Sequence, residues 1–228
     1  EIKKKEKNKY ENNGDIMGTV FVNGGVGFIG HHLCLELKAQ DQEVYAIDNM
    51  KQLRFHSDAK FYQKFVDERI EMLGENGIKI INLDVSKSND YLTLLKKYKP
   101  NLVYHMSAIA SAATCHKRPD WAFSENMVNL ERILHQIKNS ELGTKIVFAS
   151  SSVAYGEFDG KSVDEKTPLN PINIYGLLKK NGEELVELYL AVCEMEYFPM
   201  ECEMHGNLKN DTLIVEDFEI LYIQGCGE

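Results

Sequence analysis

Apolar positions along the chain follow two alternating rhythms. Short runs rich in Val, Ile, Phe and Tyr at residues 19–23, 43–48, 78–84, 101–106 and 145–150 predict strands. The stretches between them, 28–39, 59–73, 91–98, 121–138 and 174–193, place apolar residues every three or four positions and predict helices. Apolar strands that alternate with amphipathic helices predict an α/β fold, a doubly wound parallel sheet with helices on both faces. Ligands of such sheets bind at the carboxyl ends of the strands, near the switch in strand order.

Composition narrows what such a sheet could serve. Residues 1–16 are polar and Lys-rich, with no apolar stretch of the kind a signal sequence carries, and read as a flexible charged arm. The folded domain is expected over 17–200, leaving 201–228 as a short remnant with two more strands, at 212–215 and 218–224. At 228 residues, 43% hydrophobic and 27% charged, the chain can build one sizeable core and little of a second. A net charge of −9 argues against nucleic acid as a partner, because phosphate binding wants clustered Lys and Arg. No apolar run reaches the roughly 18 residues of a membrane span. Five scattered cysteines without a C-x-x-C pair suit reduced thiols in the cytoplasm, and no metal is expected.

The residues with chemistry to offer fall at the predicted strand ends. The first loop reads Gly24-Gly25-Val26-Gly27-Phe28-Ile29-Gly30. Gly24 suits a tight turn, Gly27 a close approach of backbone to a pyrophosphate, and Gly30 close packing of helix on strand. The phosphates then lie at a helix N-terminus, where free N–H groups and the dipole favour negative charge. Asp48 ends the second strand, where a carboxylate accepts hydrogen bonds from the adenosine ribose and repels a ribose phosphate, favouring NAD over NADP. Asp84-Val85 ends the third. There the acid either accepts from an adenine amino group, with Val85 against the ring, or caps the next helix. The fourth strand ends His105-Met106-Ser107-Ala108. Its small residues admit a cofactor, whereas His105, inside an apolar strand, reads as a core histidine satisfied by hydrogen bonds.

Two more signals complete the set. Ser150-Ser151-Ser152 at the end of the fifth strand offers a hydroxyl to a reacting substrate oxygen. Tyr175 and Lys179, four residues apart, share a helical face. A tyrosine of ordinary pKa is a poor base at neutral pH. A neighbouring ammonium and a positive nicotinamide both favour the phenolate. Tyr175 can then remove a hydroxyl proton as hydride leaves the same carbon, and Lys179 can also reach the nicotinamide ribose.

In order and spacing these pieces resemble the extended short-chain dehydrogenase/reductases, specifically the NAD-dependent epimerase/dehydratase family of nucleotide-sugar enzymes, over residues 17–195. The matching residues are G-G-V-G-F-I-G, Asp48-Asn49, Asp84-Val85, His105-Met106-Ser107-Ala108, Asn126, A-S-S-S-V-A-Y-G (149–156) and Tyr175-Gly176-Leu177-Leu178-Lys179. The resemblance implies a Rossmann domain, bound NAD and a Ser–Tyr–Lys catalytic set. It places Phe28, Ile29, Asn49 and Met106 among the cofactor contacts, beside Gly24, Gly27, Gly30, Asp48, Asp84, Val85, Ser107, Ala108, Tyr175 and Lys179. Counting back from Tyr155, as the family loop suggests, puts the catalytic hydroxyl on Ser151, with Ser152 second. Dehydratases of the family carry an acidic pair after that hydroxyl. Here Ser152-Val153-Ala154 follows, which implies an epimerase-like reaction on a nucleotide sugar. Family dimers often form through four helices, and 121–138 and 174–193 occupy the matching places.

The likeness breaks at 201–206. Glu201-Cys202-Glu203-Met204-His205-Gly206 stands where the family has an Arg before an Asn and a Tyr-Gly, and the C-terminal substrate domain is expected to be largely missing. A dehydrogenase of a smaller hydroxy substrate, and an inactive cofactor-binding module within a larger assembly, therefore stay open beside the epimerase.

Overall fold

The structure is a computed structural model, and it describes residues 18–50, 59–85, 90–157, 162–164 and 166–193. The arm at 1–16, the 201–206 motif and the strands expected at 212–215 and 218–224 lie outside the described residues. Strand β1 (Thr19–Asn23) leads to α1 (Phe28–Ala39), β2 (Glu43–Asp48) to α2 (Ala59–Glu75), and β3 (Lys79–Asn82) to α3 (Asp90–Tyr98). After β4 (Leu102–His105) come α4 (Ala112–Lys117), α5 (Pro119–Phe123), a π-helical segment (Ser124–Val128) and α6 (Asn129–Ser140). Strand β5 (Lys145–Phe148), a 3₁₀ turn (Ser152–Ala154) and α7 (Ile174–Cys193) complete the order.

All strand pairs are parallel, in the order β3-β2-β1-β4-β5. Asn23 lies opposite both Ile47 and His105. The order reverses between β1 and β4, so the loops after Asn23 and His105 flank the crevice in which such sheets bind ligands.

Alternate side chains of each strand enter opposite layers, as a strand pleat requires. Phe21, Tyr45, Ile47, Val103, Ile146 and Phe148 pack with Tyr91 and Leu95 of α3, Leu130, Ile133, Leu134 and Ile137 of α6, and Val186 of α7. Val20, Val22, Val44 and Ala46 face the other way, onto Cys34 and Leu37 of α1 and Val66 and Leu73 of α2. A smaller cluster joins Cys115, Ala122, Tyr175 and Leu178.

Strands β4 and β5 stop short of the predicted 101–106 and 145–150, and three other elements depart from the pattern. Strand β3 is shorter than 78–84, because the Ile78 amide turns back to the Leu73 carbonyl (3.0 Å) and closes α2. The helix expected over 121–138 is broken into α5, the π segment and α6. A π turn holds one extra residue, which apolar periodicity does not register. Helix α4 has no counterpart in the apolar pattern. It starts where the Ser111 Oγ accepts the Thr114 amide at 3.2 Å.

Candidate active site

The glycine loop is tied into the sheet it follows. Gly24 has φ +80°, and its amide donates to the Ile47 carbonyl at 2.7 Å. A Cβ there would lie 2.9 Å from the Ser107 backbone, so only glycine allows the two loops to meet. A Cβ on Gly30 would overlap the Gly24 carbonyl oxygen. Gly27 is the N-cap of α1, and its amide donates to Gly24 O at 2.9 Å. The first intrahelical bond runs from the His31 amide to Gly27 O. The amides of Phe28, Ile29 and Gly30 therefore face outward from the helix end without intrahelical acceptors, and could hold a pyrophosphate. The side chains of Phe28 and Ile29 are exposed.

Asp48 reaches back to that loop. Its Oδ2 accepts the Val26 amide at 3.2 Å and its Oδ1 the Met50 amide at 2.9 Å. With three backbone donors on it, the carboxylate keeps one lone pair to take a ribose hydroxyl. Burial raises the carboxyl pKa, and bonds from the Met50, Val26 and Asn49 backbone work against that rise. Asn49 follows directly, partly buried. Arg69 of α2 lies 5.7 Å from the centroids of Phe28 and Tyr62 and reaches Val26 O at 3.4 Å.

The other strand ends divide. The Met106 amide donates to Asn23 O at 2.9 Å, carrying the β1–β4 pairing one residue past His105 to where Ser107 and Ala108 follow, and the Met106 side chain joins the α1–α2 layer. Asp84 and Val85 follow β3, two strands from the glycine loop, and Val85 packs against the opposite core layer. The structure thus gathers 24–30, Asp48 and 106–108 around the crevice, with Asp84 and Val85 at its margin.

Ser151, Tyr175 and Lys179 do come together. The Ser151 hydroxyl lies close enough to the Tyr175 phenol to lower its pKa, and its Oγ accepts the Val153 amide at 3.4 Å. Ser152, the second choice, opens the 3₁₀ turn instead. Lys179 is buried, and its Nζ donates to the Ala149 carbonyl at 2.5 Å. It lies 4.9 Å from the Phe148 ring centroid and 5.9 Å from that of Tyr175. Desolvation lowers its pKa to about 8, against the raising influence of Glu183.

Two expectations are corrected here. The ammonium, together with the nicotinamide, was expected to lower the phenol pKa, but in the chain by itself burial comes first and raises the Tyr175 pKa, with Ser151 only partly opposing it. His105 is buried as expected but not satisfied: its Nδ1 has no hydrogen-bond partner among the described residues. Its ring stacks on Phe148 at 6.1 Å, and burial first, then Lys179, lowers its pKa to about 3.

Several residues support the site, of which Asn126 was among the matching residues of the resemblance and Asn23, Tyr91 and Glu183 were not. Asn23 and Tyr91 exchange hydrogen bonds at 2.9 and 3.2 Å, which pins the end of β1 to α3. Asn126, turned inward by the π segment, accepts the Ile109 amide at 2.7 Å and donates to its carbonyl at 3.2 Å. Glu183, one turn beyond Lys179, accepts a short hydrogen bond from the Ser150 hydroxyl. Its spacing after Tyr175 and Lys179 was the available signal. No group of His, Cys, Asp and Glu that could hold a metal ion occurs among the described residues.

Comparison with known proteins gives the family and the fold. Residues 20–206 match the family described as the NAD dependent epimerase/dehydratase family. The UDP-glucose 4-epimerase of Streptococcus mutans is 27% identical over 205 residues, covering 87% of this chain and 55% of that protein. UDP-glucuronate 4-epimerase 1 of Arabidopsis thaliana is 26% identical over 193 residues, covering 79% and 42%. Among solved structures, UDP-glucuronic acid 4-epimerase of Bacillus cereus, in complex with NAD and a fluorinated UDP-sugar, superposes with a TM-score of 0.68 at 26% identity, covering 78% of this chain and 54% of that one. UDP-glucose 4-epimerase of Thermus thermophilus, in complex with NAD, gives 0.65 at 25%, covering 78% and 53%. The chain spans about half the length of the curated relatives it matches.

Proposed function

This chain belongs to the NAD dependent epimerase/dehydratase family, and we propose that it acts as an NAD-dependent nucleotide-sugar epimerase, oxidising a sugar hydroxyl transiently. The observation that carries this reading is the placement of Ser151 beside the Tyr175 phenol, with Lys179 fixed one turn away. The outward amides of 28–30, the Gly24–Ser107 cradle and the Asp48 carboxylate fit a dinucleotide. NAD, when bound, supplies the hydride acceptor.

The chain's own part is proton handling and orientation. Ser151 holds the reacting hydroxyl oxygen beside Tyr175. The Tyr175 phenolate takes its proton and later gives it back. Lys179, held by Ala149 O, places a positive charge near that phenol, and a cation there favours its ionisation. With Ser152-Val153-Ala154 after the catalytic hydroxyl, no carboxyl stands ready to work on a neighbouring carbon, which favours epimerisation over dehydration.

A cytoplasmic homodimer fits the same reading. No helix among the described residues is long and apolar enough to cross a membrane. Leu177 and Leu188 of α7 and Phe123 of α5 are exposed, and a second copy could cover them. Sedimentation equilibrium tests the dimer.

To test the activity, NAD and a panel of UDP-sugars are added to the purified protein. Reduced-nicotinamide absorbance and the sugar products are then followed. The expected result is transient reduction with release of an epimer, and its loss in Tyr175→Phe with NAD affinity little changed. Accumulation of reduced cofactor with a ketone would point to a dehydrogenase. Bound NAD with no response to any sugar, or full activity in Tyr175→Phe, overturns the proposal.

A further inference from the structure

Tyr175, Lys179 and Glu183 occupy successive turns of one face of α7. Each meets a different residue of the segment after β5. The Tyr175 phenol meets the Ser151 hydroxyl, Lys179 Nζ donates to Ala149 O, and the Ser150 hydroxyl donates to Glu183. Glu183 is half-buried, unlike the exposed Glu184 and Glu187 beside it. A carboxylate is withdrawn from water only at a cost, unless hydrogen bonds or a counter-charge offset it. Here both are present.

The surroundings of Lys179 leave the negative charge to Glu183. From β4 comes His105, held neutral by burial, and from β5 the Phe148 ring. From α4 comes Cys115, whose thiol pKa burial raises, and from α7 itself Tyr175, whose phenol is raised likewise. Glu183 is the carboxylate that acts most strongly on Lys179, in the direction that keeps it protonated. Glu183 in turn feels burial and Glu187 raising its pKa, with Ser150 and Lys179 lowering it.

We propose that Glu183 is a positioning residue of this site: by gripping the Ser150 hydroxyl it sets Ser151 against Tyr175, and by its charge it holds Lys179 as an ammonium. The proposal rests on the epimerase-like reading for its kinetic consequence. Its structural half, the coupling of Glu183 to Lys179, stands apart from that reading and can be measured without turnover.

Glu183→Gln keeps an oxygen for Ser150 and removes the charge, whereas Glu183→Asp keeps the charge on a shorter arm. Protein labelled with [13Cε]lysine, its Lys179 signal assigned by Lys179→Arg, is titrated by NMR. The Lys179 midpoint is expected at lower pH in Glu183→Gln than in wild type, and to return toward the wild-type value in Glu183→Asp. In turnover, Glu183→Gln is expected to lower kcat about tenfold and to bring the alkaline limb of the pH profile to lower pH. Glu183→Ala, which also frees the serine segment, is expected to lose on the order of 10²-fold. An unmoved Lys179 midpoint in Glu183→Gln overturns the proposal. So does wild-type kcat with an unmoved alkaline limb in an enzyme that turns over. If wild type acts on no sugar while the midpoint still moves, the function reading falls and the role of Glu183 in holding Lys179 stands.

Discussion

Lys179 makes the energetics of this site measurable. Its pKa falls from 10.5 to about 8 in the fold, chiefly through loss of water. At 1.36 kcal/mol per unit, the folded protein holds this proton about 3 kcal/mol less tightly than the unfolded chain does. Below pH ~8 both states bind the proton and the cost is fully present. Between about 8 and 10.5 the unfolded chain holds it and the folded protein does not, so stability rises with pH through this window. Lys179→Met keeps a similar apolar stem and removes this titration together with the bond to Ala149 O. The stability of wild type minus that of Lys179→Met should therefore grow by about 2–3 kcal/mol between pH 7 and pH 10. Urea unfolding of cofactor-free protein at each pH, followed by far-UV circular dichroism, reads the difference directly. A difference that stays flat, or shrinks as pH rises, would show that Lys179 is not desolvated as described.

Three further substitutions probe the rest of the site. Asp48→Ala strips an acceptor from the Val26 and Met50 amides; NAD should bind about tenfold or more weakly, with less preference over NADP, in fluorescence titrations. Unchanged selectivity would refute the assignment of Asp48 to the ribose. Gly30→Ala drives a methyl into the Gly24 carbonyl and should cost about 1–3 kcal/mol along with most NAD affinity; a native melting temperature together with native affinity would count against the packed-loop account. Tyr91→Phe leaves the buried Asn23 side chain short of its partner and should cost about 1–3 kcal/mol in urea unfolding, a loss that would be absent if water or another group replaced the phenol.

How much of this was readable beforehand depends on what each signal encodes. Residues at 19–23, 28–39, 43–48 and 174–193 form elements with the bounds their apolar spacing predicts. In each, one period runs unbroken between turn residues, and buried positions leave little choice of register. The stretch 121–138 shows the limit. A one-residue π expansion leaves the apolar rhythm intact on both sides while it rotates Asn126 toward Ile109, so the break is invisible to periodicity and visible only in the hydrogen bonds. Helix α4 was hidden for the opposite reason: its six residues carry no periodic apolar stripe, and the Ser111 cap was its one local signal.

The chemistry was legible to the same degree and failed at the same kind of place. Spacing put Tyr175 and Lys179 on one face, and the fold brought Ser151 to them. What spacing could not supply was the surrounding medium. A charge four residues away favours a phenolate in water, yet here both groups are buried, and desolvation is the largest influence on Tyr175 and Lys179 alike. Burial of that kind is set by long-range packing, by Cys115 from α4 and Phe148 from β5, neither of which is near α7 in sequence. It follows that a site of this type needs a counter-charge inside the fold to keep its amine protonated. The half-buried carboxyl one turn past Lys179 is where α7 provides it.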